Sequence, residues 1–162
     1  MIQLPPHLFI SQHAVPDDWL FRLMQPADKR LLADFLLRVV DPDFNQWFKQ
    51  LTNWQAIGRA YWVIGFAGST LIASGQLFLV GHNAELSNLV VAPDWQGQGV
   101  GSALIGILEQ IARQAKVAHV EIGVIRDNER ALALYQRLGY EYHRKIGLPE
   151  GETAVFLRKA LR

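Results

Sequence analysis

The sequence predicts a mixed α+β fold, a central and mostly antiparallel sheet flanked by helices, in the order α-α-β-β-β-α-β-α-β-β. Three observations carry this. Amphipathic helical runs fill the stretch from residue 26 to about residue 51. Three strand-like runs joined by two tight glycine turns follow. From Val100 onward, helical and strand patterns alternate. A meander whose second half switches to β-α-β gives an antiparallel sheet with a mixed second half, an α+β or mixed α/β sandwich.

The first helical run is "PADKRLLADFLLRV" (26–39), where Leu31, Leu32, Phe35, Leu36 and Val39 repeat at helical spacing. "DPDFNQWFKQL" reads as a second, shorter helix with Asp41 as N-cap and Pro42 at the first helical position. Ala60–Phe66 and Leu71–Val80 are strands joined by Gly68-Ser69-Thr70. Gly81-His82-Asn83 leads into a third strand, Ala84–Val91. Residues 100–115 place Val100, Leu104, Leu108, Ile111 and Ala115 on one stripe. "VAHVEIGVI" (117–125) is an apolar strand. Asn128–Leu138 forms a helix ended by Gly139, and two strands near 140–146 and 153–161 close the chain.

Composition narrows the function. The 162 residues carry no repeat or linker, so 1–162 is expected to be one domain; half are apolar and 19% charged, a folded composition. A net charge of +1 argues against nucleic acid as the main partner. No apolar run spans a membrane, and the first ten residues lack a basic leader, so a cytoplasmic protein is expected. Cysteine is absent, which removes thiolate nucleophiles and thiolate metal sites. The five histidines (His7, His13, His82, His119, His143) form no i,i+4 pair, and no metal is expected.

The informative stretch is "LVVAPDWQGQGVGSALIGILEQ" (89–110), where Gly97, Gly99 and Gly101 sit on the threshold of a helix. Glycine there permits unusual backbone angles and leaves amides bare at the positive end of the helix dipole, a setting that favours an anion. A P-loop would need Gly-Lys-Ser/Thr, and the chain has Gly101-Ser102-Ala103. A dinucleotide fingerprint needs a third glycine where Ser102 or Leu104 stands. Alone, the glycines leave a plain helix start and a phosphate cradle equally open. Glu85, six residues before Val91, could take the proton that an ammonium must lose before attack, or be a solvated strand end. Asn88 lies among apolar neighbours, where its amide would need partners.

The surrounding residues resolve the ambiguity. Val91, Pro93, Gln96, Gly97, Gly99 and Gly101, coming off a strand and opening a helix, resemble the acyl-CoA pyrophosphate loop of the GNAT superfamily of N-acetyltransferases, whose signature Q/R-x-x-G-x-G/A is met at Gln96, Gly99 and Gly101. Its second motif, N-x-x-A-x-x-L-Y-x-x-x-G-F/Y, is met at Asn128, Ala131, Leu134, Tyr135, Gly139 and Tyr140. The two motifs and their strands cover roughly residues 84–142, and the first 60 residues carry no signature.

The resemblance implies a sheet of about six to seven strands and acetyl-CoA as acyl-donor co-substrate, with no metal. It implies acetyl transfer to a primary amine by direct attack in a ternary complex. The implied cofactor-binding residues are Leu89 and Val91 through their main chain, then Gln96, Gly97, Gln98, Gly99, Val100, Gly101 and Ser102, with Asn128 and Tyr135 downstream. In the family the tyrosine equivalent to Tyr135 protonates the departing thiolate, and some members place a catalytic glutamate at the offset of Glu85. Asn88 would either hold an irregularity of its strand or touch substrate. Of the tryptophans, Trp95 is expected to be exposed beside the cofactor; Trp19, Trp47, Trp54 and Trp62 could line an acceptor pocket, but most are expected to be core or partly exposed packing residues. Arg126, Arg130, Arg137, Arg144 and Lys145 are expected mainly to form a solvated face, the alternative being that one or two of them meet the nucleotide phosphate of CoA. The partner is a small-molecule or peptide amine, with no nucleic acid and no membrane, and a homodimer is left open. A non-catalytic acyl-CoA-binding module would keep the loop but have no need of Glu85 or Tyr135.

Overall fold

A computed structural model describes residues 16, 18–36 and 43–161. Its elements are β1 (Trp19–Leu23), α1 (Lys29–Leu36), α2 (Phe44–Ala56), β2 (Ala60–Ala67), β3 (Thr70–Val80), β4 (Asn83–Val91), α3 (Val100–Gln114), β5 (His119–Ile125), α4 (Glu129–Arg137), β6 (Glu141–Gly147) and β7 (Thr153–Ala160). The strands make one seven-stranded sheet in the order β1-β2-β3-β4-β5-β7-β6. Every pairing is antiparallel except β4 with β5. The mixed, mostly antiparallel sheet is therefore as the sequence predicts.

The sequence reading omitted β1. "WLFRL" is too short and too evenly apolar to show a period, and its strand character comes from pairing with β2, Trp19 to Ala67 and Leu23 to Val63. The first predicted helix starts later than expected, because residues 26–28 form a 3₁₀ turn before α1. Val39 lies outside the described residues, as do Asp41 and Pro42, and the N-cap position of α2 is Asp43 in place of Asp41. The β2–β3 and β3–β4 turns close tightly, Ala67 pairing with Thr70 and Val80 with Asn83, with Gly68 and Gly81 at positive φ.

Helices cover the sheet on both sides and give two cores. On one side α3 and α4 lay Val100, Leu104, Leu108, Ile111 and Tyr135 against Ala73, Leu77, Leu86, Val120 and Ile122. On the other, α1 and α2 lay Leu32, Leu36, Phe48 and Leu51 against Trp62, Ile64 and Leu71. Alternation along β2 feeds both, Trp62 and Ile64 toward α2 and Tyr61 and Val63 toward α3. A bidentate Arg22–Asp28 pair at 2.7 Å ties β1 to the turn before α1, and Asp28 also accepts the Gln25 amide at 2.7 Å. Burial alone would raise the Asp28 carboxyl, but the hydrogen bonds and charge of Arg22 outweigh it and hold it low. Among the described residues no helix is long and apolar enough to cross a membrane.

Candidate active site

The site begins where two parallel strands part. β4 pairs with β5 only from Asn83–His119 to Leu86–Ile122. Beyond Leu86, β4 stays with β3 alone and its other edge is unpaired. A bulge lies at the parting. Gln76 faces Ser87 and Ser74 faces Val90, so Gly75 opposes both Asn88 and Leu89. Asn88 takes a left-handed conformation (φ 50°), and its Nδ2 donates to Gln76 Oε1 at 2.9 Å. The bulge needs Gly75, because a Cβ there would come within 2.6 Å of Leu89 Cδ2 and 2.9 Å of Leu104 Cδ2. Past it, Leu89 and Val91 pack toward the α3 core while Val90 faces the other. Asn88 itself is exposed rather than enclosed by apolar neighbours, since the bulge turns it outward.

The glycine stretch lies beside that free edge. Gly97 (φ 79°) and Gly99 (φ 93°) adopt left-handed angles, and Gly99 caps α3. The amides from Gly97 to Ser102 find no acceptor among the described residues. Gln96 differs, its amide closing a turn onto the Pro93 carbonyl at 3.2 Å. Gly101 has ordinary angles, and a Cβ on it would sit 3.5 Å from Leu134 Cδ2, in the space between α3 and α4. Together the β4 edge, this helix mouth and α4 enclose a cleft of about 530 Å³.

Leu89, Val91, Gln96, Gly97, Gly99, Gly101, Ser102, Asn128 and Tyr135 all line the cleft, so most of the residues singled out from sequence converge there. Two do not. The Val100 side chain is core, 1% exposed, and Gln98 turns away to donate to the Asp94 carbonyl at 2.8 Å. Gln96 has a bracing role: Nε2 donates to the Val91 carbonyl at 3.0 Å and Oε1 accepts from Arg130 Nη1 at 2.8 Å. Arg130 and Arg137 line the cleft. Of the two, Arg130 lies at the helix mouth, its Nη2 3.7 Å from where a Cβ on Gly97 would sit.

Asn128 caps α4, its Oδ1 accepting the Ala131 amide at 3.1 Å. Two turns further on, Tyr135 is buried, and desolvation pushes its phenol above the ordinary value. Its hydroxyl has no hydrogen-bond partner among the described residues. Trp95 departs from expectation. It is half-buried, packs edge-to-face on Trp19 at 6.1 Å between ring centroids, and does not line the cleft.

Glu85 occupies the opposite face. Ala84 and Leu86 point to the α3 core, so alternation turns Glu85 toward the α2 side, one residue before β4 and β5 part. Its cross-strand neighbours are Phe78 on β3 and Glu121 on β5. Glu121 is held by Arg158, by Arg144 at 3.2 Å and by His143 at 3.4 Å. Burial would raise the Glu121 carboxyl, but its arginine hydrogen bonds and charges prevail and keep it low. Glu85 has no hydrogen bond or ion pair among the described residues. Its carboxyl is raised by burial first and by the Glu121 charge second, with Arg144 opposing. It does not line the cleft but stands one residue before the point where β4 and β5 part. Beyond Phe78 lies Trp54, ring to ring at 5.9 Å; Trp62 is core, its indole donating to Ser74 Oγ at 2.7 Å.

Sequence reasoning missed Gly75, Gln76 and Glu121, and left Arg130 and Arg137 unresolved among other cations. Gly75 and Gln76 gave no signal, since their roles come from strand register. Arg130, two residues after Asn128, could have been found by placing it on the first turn of α4.

Comparison with known proteins agrees with this geometry. A model of the acetyltransferase (GNAT) family matches residues 25–140. Among solved structures, a ribosomal-protein-alanine N-acetyltransferase from Brucella melitensis superposes with a TM-score of 0.76 at 21% identity, over 88% of this chain and 99% of the other. YncA from Salmonella typhimurium, solved with its cofactor acetyl-CoA, gives 0.75 at 16% identity over 90% and 95%. A spermidine N-acetyltransferase from Vibrio cholerae gives 0.74 at 14% identity over 88% and 94%. At such identities the likeness is one of fold.

Proposed function

The chain belongs to the GNAT family of acetyltransferases, and from that premise we propose that it moves an acetyl group from acetyl-CoA to a primary amine of a small molecule or peptide. The observation that carries the reading is one cleft joining three features: unbonded helix-mouth amides, an unpaired strand edge, and a tyrosine hydroxyl without a partner. A diphosphate suits the Gly97–Ser102 amides, where Arg130 adds charge. A pantetheine arm suits the free edge of β4, lying along it as an added strand. The amide of Val91, with Leu89 as a neighbouring main-chain contact, is the donor assigned to the thioester oxygen.

In this reading the amine enters from the α2 side and gives its proton to Glu85, directly or through water. A carboxyl raised by burial is a better base than an ordinary one. The amine nitrogen bonds to the thioester carbon, negative charge moves to the carbonyl oxygen, and the C–S bond breaks as the carbonyl reforms. Tyr135 gives its proton to the departing sulfur, and the second proton of the attacking nitrogen, shed as the amide forms, passes through water to restore the phenol. A thiolate whose thiol has a pKa of about 8.5 needs no strong acid, so the Tyr135 phenol, raised by burial and hence a weak donor, serves only by being held close. The spectator-module reading is disfavoured because neither Glu85 nor the Tyr135 hydroxyl is tied up by the fold.

The test is CoA-thiol release with acetyl-CoA and a panel of polyamines, amino acids, aminoglycosides and peptide N-termini. Release with at least one amine is expected, with thermal stabilisation by acetyl-CoA of about 2.7 kcal/mol at a hundredfold excess over Kd. Glu85→Gln should flatten the limb of the pH–rate profile that rises with pH. Stabilisation by NAD(P) and not by acetyl-CoA would end the proposal.

A further inference from the structure

Gln76 is a buried amide that the fold leaves half used. It lies on β3 at 1% exposure, between Trp62 on β2 and Ser87 on β4. Its Oε1 accepts from Asn88 Nδ2 at 2.9 Å, while its Nε2 meets no protein acceptor among the described residues. A buried donor without an acceptor destabilises a fold, and an apolar side chain of similar volume would sit there at less cost. The partner it keeps is the residue at the bend. Asn88 holds φ 50°, a conformation that is strained for most side chains and tolerated by asparagine when its amide is anchored.

We infer that Gln76 is a positioning residue: by anchoring the Asn88 side chain it holds the left-handed bulge of β4 and so sets the direction in which the amides of Leu89 to Val91 point. The lever is short. Asn88 is followed at once by the residues whose main chain faces the cleft, and the bulge spans a single β3 residue, Gly75. If Asn88 relaxed to extended angles, the following peptide planes would rotate, and with a side-chain period of two the following side chains would change face. The Gln96–Val91 bond at 3.0 Å fixes the far end of this segment, so the Gln76–Asn88 bond is the matching fixture at its near end. This rests on the reading of the Leu89–Val91 amides as the seat of the thioester. The bulge clamp itself can be tested without it.

The test sets Gln76→Leu against Asn88→Gly, since glycine adopts positive φ unaided. Gln76→Leu should lower kcat at least tenfold while leaving Tm unchanged or raised, a split that a purely structural role would not give. In the double variant kcat should return to the Asn88→Gly value, because the bulge then needs no anchor. The three-bond amide–Hα coupling of Asn88, read by NMR in the wild type and in Gln76→Leu, reports φ whether or not any amine is turned over. It should move toward extended values. Should Gln76→Leu fail to fold, Asn88→Ala breaks the same bond from an exposed position and should show the same kcat loss. An unchanged Asn88 coupling, full kcat in Gln76→Leu, or no recovery in the double variant each overturns the inference. Silence of the wild type toward every amine would instead remove the acetyl-transfer reading, and the coupling would still decide the clamp.

Discussion

The two faces of the sheet are built on different principles. On the α3/α4 face the candidate site is mostly main chain: glycines at positive φ, unbonded amides and an unpaired strand edge, with Tyr135 as the one reactive side chain. On the α1/α2 face it is made of side chains gathered across strands, with Phe78, Glu85 and Glu121 adjacent only because β3, β4 and β5 lie side by side. In the proposed reading the first face serves the cofactor and the second the acceptor. A backbone site tolerates substitution around it but not at its glycines; a side-chain site can be changed one group at a time.

The largest effect that would sharpen this contrast is expected at Tyr135. Tyr135→Phe removes only an oxygen, so acetyl-CoA affinity should stay within about twofold while kcat falls about 10²–10³-fold, the usual contribution of a positioned acid. Unchanged turnover in a steady-state assay would remove Tyr135 as the proton donor.

Next comes the anchor of the other face. Asp28→Ala strands the Arg22 guanidinium, whose side chain is 19% exposed, and breaks the cap on the Gln25 amide. A loss of about 2–3 kcal/mol is expected, somewhat below that for a fully buried pair because Arg22 keeps partial contact with water. Because the Asp28 carboxyl is held low in the folded state, its contribution is present above the ordinary carboxylate range and disappears as pH falls through the depressed value. The gap between wild type and variant in urea melts should therefore narrow toward acid. A gap independent of pH would mean that the pair does not carry the effect.

What was legible in the sequence follows the same division. Gln96 to Ser102 and Asn128 to Tyr140 are contiguous stretches in which backbone demand and residue type coincide, so the cleft could be assembled from them before any coordinates. Helix α3 was legible because Val100, Leu104, Leu108 and Ile111 keep one stripe. β1 was not, because a five-residue strand acquires its identity from β2. Gln76 and Asn88 stand twelve residues apart and meet only through hairpin register. Glu121 carried no signal in the sequence, because Arg144 and Arg158 reach it only from β6 and β7.

A smaller effect separates the glycines of the helix mouth. A Cβ on Gly99 would touch nothing within 4 Å, so Gly99→Ala acts through its φ of 93° alone, and about 1–2 kcal/mol of strain is expected. Gly101→Ala has no such strain, and its Cβ would enter the space beside Leu134, 3.5 Å away. Calorimetry should show Gly99→Ala losing stability in the apo protein. Gly101→Ala should keep its Tm and lose acetyl-CoA affinity instead. The reverse pattern would mean that the glycines are not divided between shaping the turn and clearing the approach.

The smallest expected effect is the most diagnostic of the acceptor face, because its sign is unusual. The Glu85 carboxyl is raised by burial and by Glu121, so the folded state disfavours its charge. A carboxyl whose folded pKa lies above its unfolded one favours folding fully below the unfolded value, near the usual 4.5, and that contribution is lost as pH rises through the folded value. Glu85→Gln carries no charge at any pH, so at pH 7 it should be more stable than the wild type. The advantage should shrink as the wild-type carboxyl protonates in acid. Partial exposure screens the cost, which keeps the gain under about 1 kcal/mol, or up to about 2–4 °C in Tm for a chain of this size. Higher stability together with a flattened pH–rate limb would mark a carboxylate kept against the preference of the fold. A Glu85→Gln protein less stable than wild type at pH 7 would mean that Glu85 is a structural partner, and the acceptor side would then need another base.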